Sequence, residues 1–158
     1  MSYSVLIVDD YDTLRQALAR IIKGTNLDIT VHTAGDIDGA IEVLSSVQID
    51  LALVDHNLND GKDSNAFCLE HLPLGNYLRI TADTGHKLEQ IREAGAEGFG
   101  VLDKGSQLRE ELLAILGDVL ERSRDLIERS AMRPDLSSLP SHPPSSRSRG
   151  DERRGLNP

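Results

Sequence analysis

Hydrophobic and polar positions along the chain fall into blocks that switch between two periods. Val5-Leu6-Ile7-Val8 is a continuous apolar run with β-branched members, the pattern of a strand buried on both faces. It runs straight into two adjacent carboxylates, Asp9 and Asp10. Leu14, Ala17, Leu18, Ile21 and Ile22 then recur at helical spacing, a core-facing stripe that Gly24 ends. Asp10 or Asp12 is the expected cap of that helix. Ile29–Thr33 reads as a second strand. Ile37, Ala40, Ile41 and Leu44 form a second helical stripe, entered through Ala34-Gly35-Asp36. Ile49–Val54 is another buried strand, and it too ends in an acid, Asp55. A polar loop from His56 to Asn65 leads to a short helix around Ala66–Leu72. A strand over Tyr77–Ile80 follows, ending at Thr81, and then a helix near Lys87–Ala94. A short strand, Phe99–Leu102, leads into Asp103-Lys104-Gly105.

Strands that alternate with helices predict an α/β fold with a parallel, doubly wound sheet and right-handed crossovers. The last helix starts near Ser106 and keeps its period to about Arg129, roughly 25 residues or ~37 Å. A sheet of short strands covers only about the first 15 of them. The chain therefore divides into a domain over residues 1–120, an extension of the last helix over 121–131, and a tail over 132–158. The extension is expected to project as a partner or homodimer helix, or to fray. Pro134, Pro140, Pro143, Pro144 and a Ser/Arg-rich remainder bury too little apolar surface to order themselves, so the tail reads as disordered.

Composition narrows the chemistry. The formal net charge is −9. Residues 132–158 hold Arg133, Arg147, Arg149, Arg153 and Arg154 against Asp135, Asp151 and Glu152, so the domain itself is more acidic than the whole. That balance argues against direct nucleic-acid binding, which needs clustered Lys and Arg. No apolar run approaches the ~20 residues of a membrane span. Cys68 is the one cysteine, so no internal disulfide can form, and a reducing, cytoplasmic setting is expected. It reads as a helix-packing residue. His32, His71, His86 and His142 show no metal-ligand spacing. His56 points away from Asp55 if the strand alternation continues.

Asp9, Asp10, Asp55, Thr81 and Lys104 all stand at strand C-termini, which in a parallel sheet lie along one edge. Adjacent strands are ~4.8 Å apart, so carboxylates from two of them can reach one divalent cation. Five residues of these types, in this order, resemble the receiver domain of two-component response regulators. The Gly95-Ala96 pair before the last strand matches as well. The resemblance covers roughly residues 3–120. It implies a flavodoxin-like sheet of order 2-1-3-4-5 and a stand-alone signalling module rather than an enzyme. It further implies that Asp55 accepts a phosphoryl group from a histidine kinase or phosphotransfer protein. Mg²⁺ would be held by Asp10 directly, by Asp9 through water, and by Asp55 and the Asn57 backbone carbonyl. Thr81 and Lys104 would contact the phosphoryl oxygens. Asn57 and Asp83, two residues after the acceptor and two after the threonine, would tune the lifetime of the phosphoryl group, and their polarity implies a short one.

Val101 stands three residues before the lysine, where such domains often carry an aromatic; Phe99 lies two further back, on the same face if the strand is regular. Gly105 and Asn59 occupy positions where the family usually has proline. No DNA-binding segment follows, so output would be through a protein partner or through a homodimer via the last helix. Two other readings remain open at this point. Asp10-Tyr11-Asp12-Thr13 comes close to the nucleophile motif of haloacid-dehalogenase-like phosphatases, although Leu14 departs from it. A receiver-like docking module that is never phosphorylated is the other.

Overall fold

The computed structural model describes residues 2–82 and 85–133. Five strands, β1 (Tyr3–Val8), β2 (Ile29–Ala34), β3 (Leu51–Asp55), β4 (Tyr77–Thr81) and β5 (Val101–Asp103), alternate with α1 (Asp12–Lys23), α2 (Ile37–Ser46), α3 (Ser64–His71), α4 (His86–Glu93) and α5 (Leu108–Met132). The strands form one sheet of order β2-β1-β3-β4-β5 with parallel pairing throughout. This is the doubly wound α/β architecture expected from the alternation of patterns. Asp83 and the tail from residue 134 lie outside the described residues. No described helix is long and apolar enough to cross a membrane.

The apolar runs are central because they are apolar on both faces. Val5, Ile7, Leu51, Leu53, Leu78 and Ile80 pack under Leu18 and Ile22 of α1 and Leu112 and Leu116 of α5. The intervening residues Leu6, Val8, Ala52 and Val54 face the other way, onto Ala40 of α2 and Phe67 and Cys68 of α3. Burying an aliphatic side chain of this size contributes about 1.5–3 kcal/mol, so a charge placed inside either layer needs a specific reason.

Several expectations are corrected. Neither Asp10 nor Asp12 caps α1: the N-cap is Tyr11, without a side-chain cap. Asp12 is already inside the first turn, where its carboxylate takes Arg15 at 2.7 Å and Gln16 at 2.9 Å. Acids do cap the next two helices, Asp36 at the Gly39 amide (2.7 Å) and Asp63 at the Asn65 amide (2.8 Å). Asp60 also serves α2, accepting from the Ile37 amide at 3.0 Å across the fold.

Phe99 is not part of β5, which has only three residues. Gly98 and Gly100 adopt φ of 59° and 147° on either side of it, so the alternation that would have placed Phe99 and Val101 on one face is broken. The Phe99 amide donates to the Tyr77 carbonyl at 2.8 Å. Its ring packs against the α1/α5 side of the core and carries the Arg122 guanidinium 5.0 Å from its centroid.

The last helix also holds to the domain further than helix length alone suggested. Ser123 is fully buried. Arg124 lies 4.1 Å over the Tyr3 ring, donates to the Ser2 carbonyl at 2.7 Å and meets Asp50 at 3.3 Å. Residues 128–133 are exposed.

Candidate functional site at the acidic sheet edge

The C-terminal ends of β1 and β3 are laterally paired, Val8 against Val54. The residues that follow are thus brought side by side. Asp9 and Asp55 are both buried there, and Asp10 is partly exposed at the rim. Carboxylate oxygens of Asp9, Asp10 and Asp55 all lie within 4.8 Å of one another. Lys104, one residue beyond β5, reaches across the edge and places Nζ 2.9 Å from both Asp9 Oδ2 and Asp55 Oδ2. Its backbone amide donates to the Thr81 carbonyl at 2.9 Å, which fixes the start of the lysine loop against the end of β4. Thr81 is itself buried at that strand end.

Local hydrogen bonds hold each acid in place. The Tyr11 amide donates to Asp9 Oδ1 at 2.8 Å, and the Asn57 amide to Asp55 Oδ1 at 3.3 Å. Asp10 Oδ2 accepts from Asn59 Nδ2 at 2.7 Å. Asp12 is turned away toward Arg15 and Gln16, so the Asp10/Asp12 pair that a phosphatase reading needs does not converge.

The electrostatics follow from burial and crowding. Burial pushes the Asp55 carboxyl above its ordinary range; Lys104 opposes this and the neighbouring Asp9 charge reinforces it. For Lys104, burial acts downward, but Asp55 and Asp9 outweigh it and the ammonium is held above its usual value. Three carboxylates crowd one ammonium, which lies 2.9 Å from both Asp9 Oδ2 and Asp55 Oδ2. A dense set of hard oxygen donors, three carboxylates with oxygens within 4.8 Å of one another, fits a hard divalent cation.

Reading the residues along the chain missed Arg79. It lies in the middle of β4, is fully buried, and spends its guanidinium on Ser64 Oγ (2.7 Å), Asn65 Oδ1 (2.8 Å), the Ala96 carbonyl (3.1 Å) and the Val54 carbonyl (3.4 Å). The signal was present: a lone charge in the apolar run Tyr77-Leu78-Arg79-Ile80. His56, next to Asp55, is half-buried and its Nδ1 has no hydrogen-bond partner among the described residues. Burial, then the Arg79 charge, push its pKa down. Burial pushes the Cys68 thiol up to about 11, consistent with a packing role.

No family model matches the chain, and no curated protein matches it. Solved structures do. The signal receiver domain of an HD domain-containing protein from Pseudomonas fluorescens Pf-5 superposes with a TM-score of 0.66 at 24% identity, covering 79% of this chain and 99% of its own. A CheY-like response regulator receiver domain protein from Methanospirillum hungatei JF-1 gives 0.64 at 17% identity, covering 79% and 98%. The Vibrio cholerae chemotaxis protein CheY4 gives 0.61 at 23% identity, covering 75% and 99%. These likenesses are of fold, and the fold of this chain is that of response-regulator receiver domains.

Proposed function

We propose that the chain is a phosphoacceptor module of two-component signalling, in which Asp55 receives a phosphoryl group from a phosphohistidine on a kinase or phosphotransfer protein. One observation carries this reading: a single lysine bridges two buried carboxylates, with a third carboxylate close by, at the C-terminal edge of a receiver-type sheet. In the transfer, an Asp55 carboxylate oxygen forms the new O–P bond while the P–N bond of the phosphoimidazole breaks. The imidazole leaves with a proton from solvent as a neutral ring. Asp9, Asp10, Asp55 and the Asn57 carbonyl would hold Mg²⁺, which supplies neutralisation of the charge that builds on the transferring group. Lys104 acts as a point charge on a phosphoryl oxygen. The Thr81 hydroxyl donates to another and draws its loop toward the modified aspartate, the kind of local change that biases a two-state face. Output is by protein contact.

Incubation with a small phosphodonor and Mg²⁺, followed by intact-mass analysis, tests the assignment. One added phosphoryl group is expected on the native chain and none on Asp55→Asn. Unchanged labelling of that variant overturns the reading. Asn57 and Asp83 are polar enough to orient an attacking water, so the acyl phosphate is expected to be short-lived; survival for many hours in Mg²⁺ counts against that part.

A further inference from the structure

Arg79 is a charge without an anion of its own. It is completely buried in β4, and among the described residues no carboxylate forms an ion pair with it. A guanidinium stays protonated in proteins, and an unpaired buried cation is costly. Its face of the sheet is otherwise covered by Phe67, Cys68 and Tyr77, where a methionine would pack at no electrostatic cost. Its four contacts are all to neutral oxygens, and they are arranged around the acceptor. In the β3–β4 register Arg79 lies opposite Val54, the residue before Asp55. Its Nε reaches the Val54 carbonyl at 3.4 Å, and Ser64 Oγ, which accepts from Arg79 at 2.7 Å, donates to the His56 carbonyl at 2.6 Å. The guanidinium therefore brackets Asp55 from the residue before and the residue after. Its other branch takes Asn65 at the start of α3 and Ala96 in the turn before β5. Two carboxylates act on it by charge, Asp63 and, ahead of it, Asp55 of the edge cluster, where three carboxylates crowd a single lysine.

We infer that Arg79 is the buried counter-cation and positioning residue of the acceptor site: it holds the Asp55 backbone in register and is compensated most fully when Asp55 carries a phosphoryl group. The inference rests on the phosphoacceptor reading above. It has an electrostatic signature that a scaffold role lacks. A fixed cation behind Asp55 favours an anion bound there and disfavours a cation. Removing it should therefore move the two affinities in opposite directions.

The experiment uses the full chain and two probes, Mg²⁺ alone by calorimetry and beryllofluoride at saturating Mg²⁺ by fluorine NMR. Arg79→Met is expected to weaken beryllofluoride binding roughly three- to ten-fold while leaving Mg²⁺ binding unchanged or tighter. Arg79→Lys, which returns the charge, is expected to recover most of the loss. If Arg79→Met does not fold, Arg79→Gln keeps donors without the charge and is read the same way. Parallel weakening of both probes, with no recovery in Arg79→Lys, overturns the inference in favour of a scaffold role. Unchanged beryllofluoride affinity in the uncharged variant also overturns it. Failure of the acceptor reading looks different: the native chain and Asp55→Asn then respond alike to beryllofluoride, which removes the inference together with its premise.

Discussion

Asn59 donates to Asp10: its Nδ2 lies 2.7 Å from Asp10 Oδ2, joining residues 49 positions apart. The contact ties the loop after β3 to the rim acid of the cluster, at a position where a proline could make no such bond. It holds one oxygen of Asp10 and orients the other. Asn59→Ala is expected to raise the Mg²⁺ dissociation constant roughly two- to five-fold, the worth of one partly exposed charge-assisted bond. Calorimetry of Mg²⁺ binding measures this, and tighter binding in the variant would show that Asn59 competes with the cation instead.

Lys104 keeps two buried carboxylates from facing each other unpaired. Lys104→Met is expected to destabilise the metal-free chain by about 2–4 kcal/mol at neutral pH, the cost of leaving buried charge uncompensated. Urea denaturation reads the loss. Added Mg²⁺ should return a large part of it, because a ligand that binds only the folded state stabilises it.

Asp55 has the opposite sign. Its folded pKa is raised, chiefly by burial, so its ionisation favours the unfolded chain. That contribution to stability is fully present below the ordinary carboxylate value and is lost as pH rises through the folded value. Metal-free Asp55→Asn should therefore melt roughly 2–5 °C above the native chain at pH 7. The gap should close as the pH falls into the carboxylate range. A gap that stays constant across that range would refute the argument.

Gly98 sits where the turn into β5 crosses β4. A Cβ there would lie 2.2 Å from the Tyr77 carbonyl, and φ is +59°. Gly98→Ala is expected to cost about 2–4 kcal/mol from strain and overpacking together. Gly117 in α5 has nothing within 4 Å of the same position, and Gly117→Ala should gain about 0.5–1 kcal/mol from helix propensity. Thermal melts of the pair separate a required glycine from a dispensable one.

Arg124 anchors the far part of α5 through Tyr3, Ser2 and Asp50. Arg124→Ala is expected to cost about 1 kcal/mol. Hydrogen exchange should quicken in residues 121–132 and leave the first turns of α5 unchanged. Uniform acceleration along the helix would mean that the anchor is not local.

The sheet and the places of Asp9, Asp10, Asp55, Thr81 and Lys104 at its edge were readable along the chain because they depend on local regularities. A strand buried on both faces shows as an apolar run, a covering helix as a 3.6-residue stripe, and parallel strands put their ends on one side. The cap of α1 was misread because Asp10 and Asp12 flank the actual N-cap, Tyr11, and long-range contact with Asn59 decides what Asp10 does. Phe99 was misread because alternation assumes a regular backbone, and the positive φ angles of Gly98 and Gly100 interrupt it.

The amino-acid sequence by itself therefore determined the order of elements, the two-faced core and the set of acids delivered to one edge. Only the tertiary structure decided that Lys104 spans Asp9 and Asp55, that Asn59 holds Asp10, and that Arg79 is buried opposite Val54, the residue before Asp55. The reason is physical. Periodicity is a property of neighbours in the chain, whereas a charge acquires its role from groups tens of residues away that the assembled sheet brings within hydrogen-bond reach.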